Sequence, residues 1–233
     1  MNFDETPLEI NEVYNGKLLH VFADKVELPD GKTSVREVVR HPGGACVCAI
    51  DAEMQVTFVK QFRYAYGDEI LELPAGKVED GEDPEETAYR ELREETGLVA
   101  EYLLPLGEVM PSPGYTDEII SLYLAVGARH GKQELDEGEF LNVQKVFISD
   151  AISMVLQGEI KDAKTQIALL KAYLFISNLS EDENLINALN EAYDQSAAAD
   201  EDLQFEMIDD DDDLEELINA LEQNEALSDE DDS

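Results

Sequence analysis

The chain has 233 residues, with 55 Asp and Glu against 16 Lys and Arg, for a formal net charge of −39. That length suits one or two domains, and 43% apolar residues are enough to fill a core. So acidic a chain does not grip nucleic acid through a basic face or settle on anionic lipid, and it holds no run of about 18 apolar residues to span a bilayer.

In chain order, the N-terminal stretch MNFDETPLEI lacks the basic and apolar regions of a signal peptide. Residues 16–23 and 25–28 read as strand, and Pro29-Asp30-Gly31-Lys32 has turn chemistry. A β-branched strand follows over 33–40 and is broken by Pro42-Gly43-Gly44. Residues 45–50 and 56–62 are strand-like, as is 69–73, which Pro74-Ala75-Gly76 stops. Cys46 and Cys48, two apart, point the same way on a strand, a poor geometry for a disulfide. Two free thiols fit a reducing cytoplasm.

A helix is expected over residues 84–96. Asp83 is its N-cap, Pro84 suits the first helical position, Glu86 completes a capping box, and Gly97 supplies the stop. Residues 102–110, 119–126 and 143–148 are strand-like, with Pro111-Ser112-Pro113-Gly114 between the first two. Two helices then close the body, the first capped by Ser149 and ending before Gly158, the second capped by Asp162 and running to about residue 176. Many strands with interposed helices, out of strict βαβ order, predict an α+β fold with a mixed sheet.

The charge divides the chain near residue 177. Residues 178–233 hold 22 Asp and Glu and no Lys or Arg, leaving the body 33 acids against 16 bases. Such blocks stay solvated as a rule. Leu185-Ile186-Asn187-Ala188-Leu189 recurs 32 residues later as Leu217-Ile218-Asn219-Ala220-Leu221, each with apolar residues at helical spacing. The plain reading is two marginal helices in an acidic tail; the sharper one is a pair of docking segments. The expected boundaries are 1–43 for an N-terminal β region, 44–177 for the main domain and 178–233 for the tail.

The informative segment is the helix over 84–96. Glu91 and Glu95 are i, i+4 neighbours and Glu94 is i+3 from Glu91, so three carboxylates crowd its C-terminal end, where the helix dipole disfavours anions. Arg90 and Arg93 offset part of this, and a hard divalent cation would offset more. The plainer alternative is a solvated acidic face. The wider spacing decides between them. Gly76, Glu82, Arg90-Glu91-Leu92, Glu94-Glu95 and Gly97-Leu98 match the Nudix box at every specified position. Seven fixed letters at about 6% each give a chance match on the order of a few per billion per start. Residues 10–177 resemble the Nudix hydrolase family. Within it, Gln61-Phe62-Arg63-Tyr64, Leu71-Glu72-Leu73-Pro74-Ala75-Gly76 and Pro113, 16 residues beyond Gly97, are similar to the ADP-ribose pyrophosphatase branch.

The resemblance implies a Nudix fold: a mixed β-sheet sandwiched between helices, with an N-terminal antiparallel region that forms a homodimer. It implies Mg²⁺ (or Mn²⁺) held by Glu91, Glu95 and Glu94, with the carbonyl of Ala75 as a further ligand. On the loop after the box, Glu137 is the better match for a general base and Glu139 for an added metal ligand, the reverse order being the alternative. Arg63 would contact phosphate or ribose oxygens. Arg36 and Glu37, with Arg40 further along, would reach the adenosine pocket of a dimer mate, and Ser112, Pro113, Gly114 and Glu118 would face the terminal ribose. The implied reaction is hydrolysis of ADP-ribose to AMP and ribose 5-phosphate. The alternatives are another nucleoside diphosphate sugar or dinucleotide, or a ligand-binding regulatory protein on the same scaffold, which an intact box argues against. His20, His41 and His130 show no ligand spacing.

Overall fold

The structure is a computed structural model that describes residues 3–135 and 138–179. Glu137 and both copies of the tail repeat lie outside the described residues.

Four strands form an antiparallel N-terminal sheet: β1 (Thr6–Glu9), β2 (Glu12–Asn15), β3 (His20–Glu27) and β4 (Thr33–Arg40). β3 pairs with the other three. β1 and β2 were not legible in the sequence, because each is four residues long and exposed throughout, without the alternation of a half-buried strand. Residues 16–19, expected as strand, instead form a turn in which the Gly16 N–H donates to the Leu19 carbonyl at 2.9 Å. The Pro29-Asp30-Gly31-Lys32 turn is present, with Gly31 at φ 80.

The main domain follows as β5 (Gly44–Ile50), β6 (Gln55–Arg63), β7 (Asp68–Glu72), β8 (Ala75–Lys77), α1 (Pro84–Thr96), β9 (Leu98–Val99), β10 (Tyr102–Val109), β11 (Ile120–Val126), β12 (Arg129–His130), β13 (Leu141–Phe147), α2 (Ile148–Gln157) and α3 (Ala163–Leu179). Its sheet runs β10-β11-β5-β6-β13, with β7 added on β6 and β8 on β5. The β11–β5 pair is parallel and the others antiparallel, so the sheet is mixed.

Every residue of β5 and β11 is buried. Two-residue alternation therefore feeds two cores. Cys46, Cys48, Leu122 and Leu124 pack with Ile148 and Ala151 of α2 and with Ala168, Leu169 and Ile176 of α3. Ala45, Val47, Ala49 and Ala125 pack on the other face against Ala88 and Leu92 of α1. The sheet is thus sandwiched between helices. Both thiols are free, and burial pushes that of Cys46 up to about 12.

The Asp83 side chain accepts from the N–H groups of Glu85 and Glu86, and Glu86 accepts from that of Asp83. Gly97 ends α1 at φ 74. Asp162 caps α3 by accepting from the Thr165 N–H at 3.0 Å. Ser149 does not cap α2. That helix starts two residues earlier than such a cap would place it, with Phe147 at the N-cap, and the Ile148 N–H donates to the Met54 carbonyl at 2.9 Å. A neighbouring turn thus satisfies one of the first-turn N–H groups that have no partner within the helix. Among the described residues, no helix is long and apolar enough to cross a membrane.

Candidate active site

The capping box sets where α1 begins, and helical spacing then stacks Glu91, Glu94 and Glu95 over its last turns. Arg90 organises them. Its Nε and Nη2 donate to the two oxygens of Glu82 at 2.8 and 3.0 Å, and its Nη1 donates to Glu91 at 2.8 Å and Glu94 at 3.1 Å. Nη2 also reaches the Lys77 carbonyl at 3.2 Å, tying the helix to β8. The Arg90 fork, helped by the Thr87 hydroxyl, pulls the Glu82 carboxyl down to about 2. Arg90 is therefore a structural partner of the box carboxylates.

Glu95 is 4% exposed, and its Oε2 accepts from the Ala75 N–H at 3.0 Å. Burial pushes its carboxyl up to about 8; the Ala75 N–H works against this, and the charges of Glu91 and Glu139 add to it. Burial also raises Glu91, with Arg90 offsetting and Glu94 and Glu139 reinforcing the rise. Glu139, far along the chain, thus acts on the same two carboxylates. Ala75, Glu91, Glu94 and Glu95 lie together at the end of α1 and the start of β8, and the charge of Glu139 acts on Glu91 and Glu95.

Among the described residues, no three His, Cys, Asp or Glu side chains already converge as a metal shell. Arg90 holds Glu91 and Glu94, and the Ala75 N–H holds Glu95. The donors nonetheless fit a hard divalent cation: all are oxygens, and the mutually repelling pair of half-buried Glu91 and buried Glu95 is what such a charge relieves.

Arg63, at the end of β6, is fixed from behind. Its Nε and Nη2 donate to the two oxygens of Glu72 at 2.7 and 2.8 Å. Its charge works against the rise of the Glu95 carboxyl. Sequence reasoning singled out Arg63 but not Glu72, whose trace was an acid between Leu71 and Leu73 just before Pro74. It also missed Gln133, whose Nε2 donates to the Glu95 carbonyl at 2.6 Å and anchors the loop after β12 to the end of α1.

The remaining predicted residues form a second group on different elements. Arg36 and Glu37 lie on β4, and Arg36 donates from Nε to Glu5 at 2.8 Å. The loop holding Ser112, Pro113 and Gly114 runs beside this strand. The Val39 N–H donates to the Tyr115 carbonyl at 2.7 Å, and the Asp117 N–H donates to the Val39 carbonyl at 3.2 Å. Arg40 donates to Asp117 at 3.1 Å, and Glu118 lies 3.7 Å from His41 Nδ1. The structure therefore assembles the acidic group within one chain and does not join the β4 group to it through any of these bonds.

Comparison with known proteins bears on this geometry. The NUDIX domain family matches residues 40–168, and the nucleoside diphosphate sugar hydrolase N-terminal domain family matches residues 5–39. The chain is 42% identical over 170 residues to a protein of Bacillus subtilis (strain 168) named ADP-ribose pyrophosphatase, covering 72% of this chain and 92% of that one. It is 41% identical over 169 residues to the methanol dehydrogenase activator of Bacillus methanolicus, covering 72% and 91%. An ADP-ribose pyrophosphatase of Mycobacterium tuberculosis (strain ATCC 25618 / H37Rv) is 38% identical over 151 residues, covering 64% and 73%. A crystal structure of an ADP compounds hydrolase superposes with a TM-score of 0.69 at 20% identity, covering 77% of this chain and 98% of that one, and so shares the fold. With its box complete and its glutamates gathered on α1, the chain belongs to the Nudix hydrolase family.

Proposed function

We propose that this protein hydrolyses the diphosphate of ADP-ribose to AMP and ribose 5-phosphate. The observation that carries the reading is the buried Glu95 beside half-buried Glu91 on α1, with the charges of Glu139 and Arg63 acting on Glu95, in a chain 42% identical to a relative named ADP-ribose pyrophosphatase. Water adds to one phosphorus, the bond from that phosphorus to the bridging oxygen breaks, and the bridging oxygen leaves on the other phosphate. Glu137 takes the proton from the water. Mg²⁺, with Mn²⁺ as substitute, would be held by Glu91, Glu94, Glu95, Glu139 and the Ala75 carbonyl. When bound, it neutralises the diphosphate and stabilises charge at the attacked phosphorus. Arg63 binds the diphosphate, and Ser112, Pro113, Gly114 and Glu118 face the terminal ribose.

The working form is a homodimer in which Arg36 and Glu37 of one copy complete the adenosine pocket of the other. Support comes from the N-terminal sheet, where Leu8, Ile10, Val13, Tyr14 and Val35 are exposed. The boundaries 1–43, 44–177 and 178–233 are retained, the last as a segment for a protein partner. The buried free thiols support a cytoplasmic setting.

A panel of ADP-ribose, ADP-glucose, GDP-mannose and NADH, each with Mg²⁺, tests the substrate. The highest kcat/KM is expected for ADP-ribose, and a clear preference for another member overturns it. The regulatory alternative is favoured by the relative named methanol dehydrogenase activator. Absence of metal-dependent turnover on the whole panel would establish that alternative instead.

A further inference from the structure

Lys164 is an unusual residue to bury. It opens α3, its side chain is 13% exposed, and its Nζ donates to Glu72 Oε2 at 2.5 Å and lies 3.0 Å from Asp162. Glu72 is itself 2% exposed and also accepts the bidentate fork of Arg63. One residue on from Lys164, the Thr165 hydroxyl accepts from the Leu73 N–H at 2.9 Å. The start of α3 therefore grips the Glu72-Leu73 step twice, across 92 residues of sequence. Three residues past Glu72, Ala75 holds the Glu95 carboxylate through its N–H.

A buried ion network of this kind is a poor device for stability alone, since well-packed apolar residues do as well or better. Its geometry suits orientation. Glu72 occupies the Nε and Nη2 edge of Arg63, and among the described residues Nη1 has no hydrogen-bond partner. The guanidinium fork is thereby held rigidly by one edge with the other left for an anionic ligand. Without Lys164, the Glu72 carboxylate would lose one of its two cations and the lock on the Arg63 plane would slacken.

We infer that Lys164 is a positioning residue that acts through Glu72 to aim the free edge of Arg63 at the substrate diphosphate. The inference rests on the reading that this site takes ADP-ribose.

The test is steady-state kinetics of the full chain with ADP-ribose and Mg²⁺, for wild type, Lys164→Met, Lys164→Arg and Glu72→Gln. Calorimetric titration with the methylene-bridged analogue of ADP-ribose reads the same contact without turnover. Lys164→Met should raise KM, and weaken the analogue, about tenfold while kcat stays within about threefold, the pattern of lost uniform binding. Lys164→Arg should recover most of the loss, and Glu72→Gln should reproduce it. A folded Lys164→Met protein with wild-type KM overturns the inference, as does a folded Lys164→Arg protein no better than Lys164→Met. If Lys164→Met does not fold, an unchanged KM in Glu72→Gln overturns it. A wild type that turns over no ADP-ribose defeats the functional reading first, and the two failures are thus told apart.

Discussion

Gly76 and Glu91 meet so closely that a Cβ added to Gly76 would stand 1.7 Å from Oε1 of Glu91. The glycine opening the box is thus tied by sterics to the first of its metal-binding candidates, 15 residues away. Gly76→Ala should drive the Glu91 carboxylate out of its position between Arg90 and β8. Turnover should fall at least tenfold, with a loss of about 1–3 kcal/mol in stability from overpacking. Urea unfolding alongside kcat measures both, and unchanged turnover would show that the Glu91 position is immaterial.

Glu95→Gln keeps shape and can still accept from the Ala75 N–H, so the fold should survive. Removing the charge should lower kcat about 100-fold, the size of effect seen when one electrostatic group in a site is lost. Steady-state assays at saturating Mg²⁺ check this, and wild-type turnover would remove Glu95 from the metal set.

The same residue gives a pH signature. Burial raises its carboxyl from 4.5 to about 8 in the folded chain. The folded state therefore holds a proton that the unfolded state has released, and stability falls as pH climbs from about 4.5 through about 8. Metal-free protein should melt at lower temperature at pH 8 than at pH 5. Glu95→Gln should flatten that slope, and Mg²⁺ should raise the melting temperature more at pH 8 than at pH 5. Scanning fluorimetry across this range is decisive, and a slope unaltered by Glu95→Gln would contradict the assignment.

Arg90 serves Glu82, Glu91, Glu94 and the Lys77 carbonyl at once. Lysine keeps the charge but lacks the fork. Arg90→Lys should cost about 2–3 kcal/mol, as when hydrogen bonds to partly buried charges are lost. Denaturant titration reads it; a midpoint equal to wild type would mean that charge alone suffices.

The exposed apolar residues of the N-terminal sheet bear on assembly. Val13→Asp combined with Val35→Asp places two charges on it and should convert a dimer to a monomer in sedimentation. An unchanged sedimentation coefficient would place the dimer contact elsewhere or deny it.

What the sequence determined by itself is local. The α1 cap, its length, its stop and the row of Glu91, Glu94 and Glu95 follow from spacings of three and four residues, which a helix turns into neighbours whatever surrounds it. Strand alternation likewise placed Cys46 and Cys48 on one buried face. Tertiary structure alone decided the contacts between distant segments. That β5 pairs in parallel with β11, that the charge of Glu139 acts on Glu91 and Glu95, and that Glu72 accepts from both Arg63 and Lys164 depend on contacts and charges from residues up to 92 positions apart. No local period encodes such pairs. A buried acid like Glu72 reads in sequence as one more surface charge, and only the arrival of two cations in the folded chain makes its burial tolerable.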